Sequence, residues 1–167
     1  MGSGDEHAGM DMPKEKKDKK YSVSAEFKAQ LSEVLSSYLA LKDALVADDE
    51  TTAKKEAKSM KQAIKSTDMS LVKGDAHMAW MGDMNALNSG LDEMIAGTDL
   101  EKTRMAFSGV SNTMAEVINR FGLSQPGGIY LDYCPMADAY WLSSDKEIKN
   151  PYYGSSMPKC GEVKKKY

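Results

Sequence analysis

Residues 98–122 read TDLEKTRMAFSGVSNTMAEVINRFG. Phe107, Val110, Met114, Val117 and Phe121 recur at a 3-4-3-4 spacing, which sets five apolar side chains on one stripe of an α-helix. Thr98-Asp-Leu-Glu101 reads as a capping box, in which a hydroxyl and a carboxylate three residues on take up free N–H groups of the first turn. Gly122 stands where a left-handed residue ends a helix at low cost.

The same grammar repeats toward the N-terminus. His77, Trp80, Met84, Leu87, Leu91 and Met94 fall at 3-4-3-4-3, with Gly97 as a left-handed stop. Ala53, Ala57, Met60 and Ile64 make a thinner face whose small residues let a neighbour approach closely. Phe27, Leu31, Val34, Tyr38, Leu41 and Leu45 form the first stripe, started by Ser22 or Ser24 and ended by Asp48-Asp49, which can cap the next helix. The longest stripes imply helices of about 22 residues, roughly 33 Å. Four striped helices on short connections predict an all-α fold, an antiparallel four-helix bundle over residues 21–122. Met78, Met81, Met84 and Met94 read as core filler, since flexible thioethers fill irregular gaps.

Beyond Gly122 the helical period stops. Residues 123–163 hold four of the five prolines and six aromatics: Tyr130, Tyr133, Tyr140, Trp141, Tyr152 and Tyr153. Such a segment is too apolar for a disordered tail. It predicts an ordered, mostly irregular cap packed on the bundle, with room for a short strand at 128–133. Residues 164–167 read as a basic tail, and residues 1–20 as a disordered tether whose Met1-Gly-Ser-Gly start looks like an expression leader with no signal peptide behind it.

Composition narrows the function. With 167 residues the chain is one domain, and 22 Lys+Arg against 25 Asp+Glu exclude a nucleic-acid binder working by bulk positive charge. No apolar run has the length of a membrane span, so no membrane insertion is expected. Only two histidines occur, and no Ser/His/Asp grouping or phosphate-cradling glycine loop is present, so no enzyme is expected. A monomer is expected.

The chemistry that stands out is sulfur. Cys134-Pro-Met136 and Met157-Pro-Lys-Cys160 place each cysteine beside a methionine in the cap. Thiolate with thioether selects Cu(I) or Ag(I) over hard cations, whereas Zn(II) sites use Cys and His without thioethers. Pro135 at the first position of a short helix would put Cys134 at its N-cap, where the helix dipole favours thiolate. An up-down-up-down bundle brings His77 to the end where the cap begins, so His77 joins Cys134, Cys160, Met136 and Met157 as a candidate ligand, with Met81 a weaker one. Trp80, Trp141, Tyr133, Tyr152 and Tyr153 would shield the ion. His7, Met10 and Met12 add weak donors on the tether. Two alternatives stay open: a Cys134–Cys160 disulfide, contributing roughly 3–4 kcal/mol, in a non-catalytic interaction module, and a thiol enzyme with Cys134 as nucleophile and His77 as base.

The motifs Tyr133-Cys-Pro-Met-Ala137, Trp141-Leu-Ser143, Ile148-Lys-Asn-Pro-Tyr-Tyr-Gly154 and Met157-Pro-Lys-Cys-Gly161, with Tyr38 to Leu45, His77-Met-Ala-Trp80 and Arg104-Met-Ala-Phe107 in the bundle, carry a resemblance. From about Tyr21 to Val163 the chain resembles an uncharacterised domain family found at the C-terminus of periplasmic adaptor subunits of heavy-metal RND efflux pumps, and also as stand-alone exported proteins. The resemblance implies a periplasmic setting in a Gram-negative bacterium and a tie to copper or silver. On that basis the chain is expected to act as a soft-metal buffer or metallochaperone, handing Cu(I) to an RND efflux adaptor or a cuproprotein.

Overall fold

The computed structural model describes residues 19–167. The tether's His7, Met10 and Met12 therefore lie outside the described residues. Four helices follow in order: α1 (Ala25–Val46), α2 (Glu50–Lys65), α3 (Gly74–Ala96) and α4 (Leu100–Phe121). Three of the four starts are set by a side chain at the first turn, and α3 begins after Lys73 with no side-chain cap. Ser24 accepts from the Phe27 N–H, Asp49 from Thr52, and Asp99 from Lys102. The cap of α4 is therefore Asp99 and not Thr98, because its carboxylate is the group that reaches the free amide. Gly122 ends α4 at φ 83, whereas Gly97 follows α3 in an extended conformation at φ −59 and is not the left-handed stop expected of it.

The stripes bury as their spacing requires. Phe27, Val34, Tyr38, Leu41, Leu45, Trp80, Leu87, Leu91, Phe107 and Val110 are all fully buried in one core. Two aromatic clusters mark its two ends. At one, Trp80 meets Phe27 and Phe121 edge-on at 5.8 and 6.3 Å. At the other, Tyr38 stacks on Phe107 at 5.1 Å, and Tyr152 leans on Phe107 at 5.8 Å. Phe107 and Phe121 are four turns apart on α4, about 21 Å along its axis. Methionine divides differently from expectation: Met94 is buried and Met84 half-buried, but Met78 and Met81 face solvent.

The fold is not all-α. Beyond α4 the chain forms β1 (Tyr130–Cys134), β2 (Ala139–Ser143) and β3 (Glu162–Lys166), an antiparallel sheet in the order β2-β1-β3. The molecule is mostly helical with a strand cap, and the residues read as a basic tail are an edge strand. All five residues of β2 are buried, so the polar–apolar alternation of a half-exposed strand is missing there. On β3 Lys164 and Lys166 face solvent and blunt an open edge, while half-buried Lys165 donates to the Asn119 side chain at 3.3 Å. The Tyr38 hydroxyl ties sheet to bundle, accepting from the Leu142 N–H at 3.0 Å and sharing a hydrogen with Ser111 at 2.6 Å. Burial drives its pKa upward.

Candidate functional site

Cys134 is the last residue of β1, fully buried. It sits on no helix. Pro135-Met-Ala-Asp138 is a tight turn into β2, and Asp138 takes the positive φ of 52 that closes it. Five residues later the chain is paired again with β1, which leaves no length for a helical segment. The turn nevertheless supplies what a helix end would have: the Ala137 N–H donates to the Cys134 Sγ at 3.3 Å.

Strand register brings the second cysteine in. Tyr133 pairs with Glu162, so the residues just before β3 arrive beside Cys134. Gly161 makes the approach possible. At φ 144 it favours glycine, and a Cβ there would lie 2.9 Å from the Trp141 ring and 3.0 Å from the Tyr133 carbonyl. The Cys134 and Cys160 Sγ atoms end 3.6 Å apart, both free thiols. The Met136 N–H turns toward the Cys160 sulfur. Burial pushes the Cys160 thiol up, and the neighbouring Cys134 sulfur adds to it, while the Met136 amide pulls the other way.

Asn150 holds the Cys160 strand of the site. Fully buried, it donates from Nδ2 to the Cys160 carbonyl at 2.7 Å and from its own N–H to the Pro158 carbonyl at 2.8 Å. Its Oδ1 accepts from Tyr152 and Tyr153 amides at 2.7 and 3.2 Å. Arg104 of α4 then pins this loop to the bundle, donating to the carbonyls of Pro151 at 2.7 Å and Leu45 at 2.6 Å and to Asp48 at 2.6 Å. Asp48 also accepts from the Ser155 hydroxyl, and Ser155 and Arg104 together hold its carboxyl below the usual range. Asn150 and Arg104 stand in motifs that carry the resemblance, but the sequence reading gives neither a role at the site. The signal present was Asn-Pro-Tyr-Tyr-Gly, where an Asn side chain folds back on amides two and three residues ahead.

The sequence-predicted ligands do not all converge. Met136 and Met157 stay with the pair, each within three residues of a cysteine and each exposed, at 65% and 36%. His77 does not. It lies one turn from Trp80, at the Phe27–Phe121 end, whereas the sulfurs lie with Trp141 and Tyr152 at the Phe107 end. The reason is that the chain after α4 runs back along the bundle as β1, which carries Cys134 away from the end where the cap begins. His77 thereby drops out as a ligand partner and as a base for Cys134, and Trp80 drops out as a shield. Trp141, Tyr133 and Tyr152 remain around the pair. Among the described residues no three or more of His, Cys, Asp and Glu converge as a metal group.

Two neighbours complete the surroundings. Asp132, on the same strand and two residues from Cys134, is fully buried, and neither carboxylate oxygen has a hydrogen-bond partner among the described residues. Burial pushes its pKa up to about 7, with Lys42 opposing and Asp145 adding. On the other side a groove of about 500 Å³ runs between α4 and the turn, lined by Arg104, Met105, Ser108, Ala137 and Tyr152.

Residues 34–126 match the family described as "Protein of unknown function (DUF3347)", which is more than half of the chain. The chain belongs to the DUF3347 family. The DUF3347 match spans most of α1 through the end of α4 and stops ahead of β1, so both cysteines lie beyond it. Searches of curated proteins and of solved structures each return no match. Among the described residues no helix is long and apolar enough to cross a membrane.

Proposed function

We propose that this chain carries one soft monovalent cation, Cu(I) ahead of Ag(I), between Cys134 and Cys160, with divalent Zn(II) the less favoured occupant, as a periplasmic buffer or hand-off protein serving metal efflux or a cuproprotein. The observation that carries the reading is the free sulfur pair at 3.6 Å. Metal–thiolate bonds of about 2.3 Å each span that gap with no backbone movement. The Ala137 N–H donates to the Cys134 sulfur, where a backbone amide would meet the charge of a metal-bound thiolate. Exposed Met136 and Met157 offer thioethers to an arriving or departing ion, and softness makes that donor set selective. The metal is cargo here: loading exchanges thiol protons for metal–sulfur bonds and leaves the rest of the protein's covalent structure unchanged.

The test is a Cu(I) competition titration of the reduced protein against a chelator, with Zn(II) measured alongside. Cu(I) is expected to bind more tightly than Zn(II), and Cys160→Ser to lose most of the affinity. Tighter Zn(II), or unchanged Cu(I) binding in Cys160→Ser, removes the reading.

A second reading rests on the same distance. Oxidation would join the two sulfurs and make the cap a locked docking surface. A thiol count on protein isolated without reductant separates the two: a bridge leaves none free.

A further inference from the structure

Among the described residues, the large hydrophobic side chains exposed to solvent are Met78, Met81, Met105, Met136, Met157 and Val163. Leucine, isoleucine and phenylalanine are kept off that surface. Helix propensity does not account for the choice, because Leu and Met are nearly equal in it. What distinguishes Met is a soft sulfur at the end of a flexible chain. Met136 and Met157 belong to the cysteine site. Met78 and Met81 do not: they sit on the first turns of α3, at the other end of the bundle, and are 66% and 40% exposed.

His77 shares their turns. His77 and Met81 are four residues apart and Met78 and Met81 three, the two spacings that make side chains neighbours on a helix, with Cβ atoms about 5–6 Å apart. Met81 thereby neighbours both the half-buried His77 and Met78, and three rotatable bonds in each methionine leave the sulfurs free to swing toward it. Asp75, exposed one turn earlier, adds negative charge and pairs with Lys19 at 3.8 Å.

We propose that His77, Met78 and Met81 form a second site for a soft monovalent cation, weaker and more open than the sulfur pair and separate from it. Two thioethers and an imidazole, all neutral, give less attraction than thiolates. This site therefore fills after the cysteines and exchanges faster. The inference does not rest on the cysteine reading, since no residue is shared.

The test is a titration of the intact reduced chain with silver nitrate, followed by two-dimensional NMR of methionine methyl groups and the histidine ring. Silver(I) is soft and redox-inert under these conditions. Beyond the equivalents taken by the thiols, the Met78 and Met81 methyls and the His77 ring are expected to shift together with one saturation curve. Met105, equally exposed on α4 with no second methionine one turn away, is the reference and should move at least tenfold later. The double substitution Met78→Leu with Met81→Leu, both on an exposed helix face, should move the His77 curve at least tenfold toward higher silver. Concerted shifts lost in that variant support the site. Met105 shifting at the same silver concentration, or a His77 curve unchanged in the variant, overturns it. Because each signal is residue-resolved, failure of the cysteine site would appear separately.

Discussion

The Arg104 guanidinium lies 2.6 Å from the Asp48 carboxylate and spans α4, the end of α1 and the loop that delivers Cys160. Asp48 also accepts from the Ser155 hydroxyl, so both members of the ion pair hold that loop to the helices. Gly154 is part of the same joint: at φ 54, a Cβ there would lie 2.0 Å from Asp48. The sulfur pair is therefore positioned from the bundle as much as from the sheet.

Arg104→Ala should cost about 2–3 kcal/mol, the range for losing charge-assisted hydrogen bonds at a partly buried site. Thermal unfolding should fall by several degrees. Hydrogen exchange should speed up most at residues 150–156, more than in α2 or α3. Uniform acceleration across all four helices would contradict the local role assigned to Arg104.

Gly161→Ala should separate the sulfurs. The substitution strains a positive φ and meets the Trp141 ring and the Tyr133 carbonyl, so the chain must shift next to Cys160. Bridge formation under a mild oxidant should slow more than tenfold. Gly127→Ala is the comparison, since Gly127 also has a positive φ, 93, but nothing within 4 Å of the added carbon. Equal slowing in both variants would show that backbone strain alone is being read.

These joints explain what the sequence could and could not reveal. The helices were legible because apolar spacing fixes a face: Phe27 to Leu45 and Phe107 to Phe121 bury as their periods demand. The pairing of Cys134 with Cys160 was legible as a donor set, because both sit next to methionine in one aromatic segment. Of the sheet only the first strand was legible, at 128–133 where β1 forms; β2 is buried on both faces and β3 is a run of lysines, and neither shows alternation. His77 does lie at the end where α4 finishes; missing the return of the chain along β1 misplaced the cysteines relative to it. An irregular cap would have stayed at the end where α4 finishes, but β1 carries Cys134 back toward Phe107. Asn150 and Arg104 act through side-chain bonds to backbone carbonyls, for which the sequence holds no periodic signal.

Asp132 should make the metal-free protein less stable as pH rises. An aspartate unfolded titrates near 4, and burial raises this one to about 7 in the fold. Between those values the native state holds a proton that the unfolded state has released. Stability is then highest below about pH 4 from this group alone and falls until about pH 7, by a ceiling of about 4 kcal/mol. Asp132→Asn should remove that slope and raise the melting temperature at pH 8 while changing it little at pH 5. A variant less stable than the parent at pH 8 would mean that the carboxylate has a partner that offsets its burial.

Cys160 gives the metal reading its own pH dependence. Its thiol is pushed above the ordinary cysteine range, first by burial and then by the Cys134 sulfur, so at neutral pH it carries a proton. A soft cation binds thiolate, and loading must displace that proton. Apparent Cu(I) affinity should rise about tenfold per pH unit through the neutral range for this one proton, and level off above the raised pKa of Cys160. Unfolding of the reduced, metal-free protein should show the converse: a thiol raised in the fold contributes stability present below its ordinary pKa and lost as pH climbs through the raised one. Calorimetry in buffers of different ionisation enthalpy counts the protons released. A count near zero at pH 7 would mean that Cys160 is already a thiolate and that the Met136 amide outweighs burial.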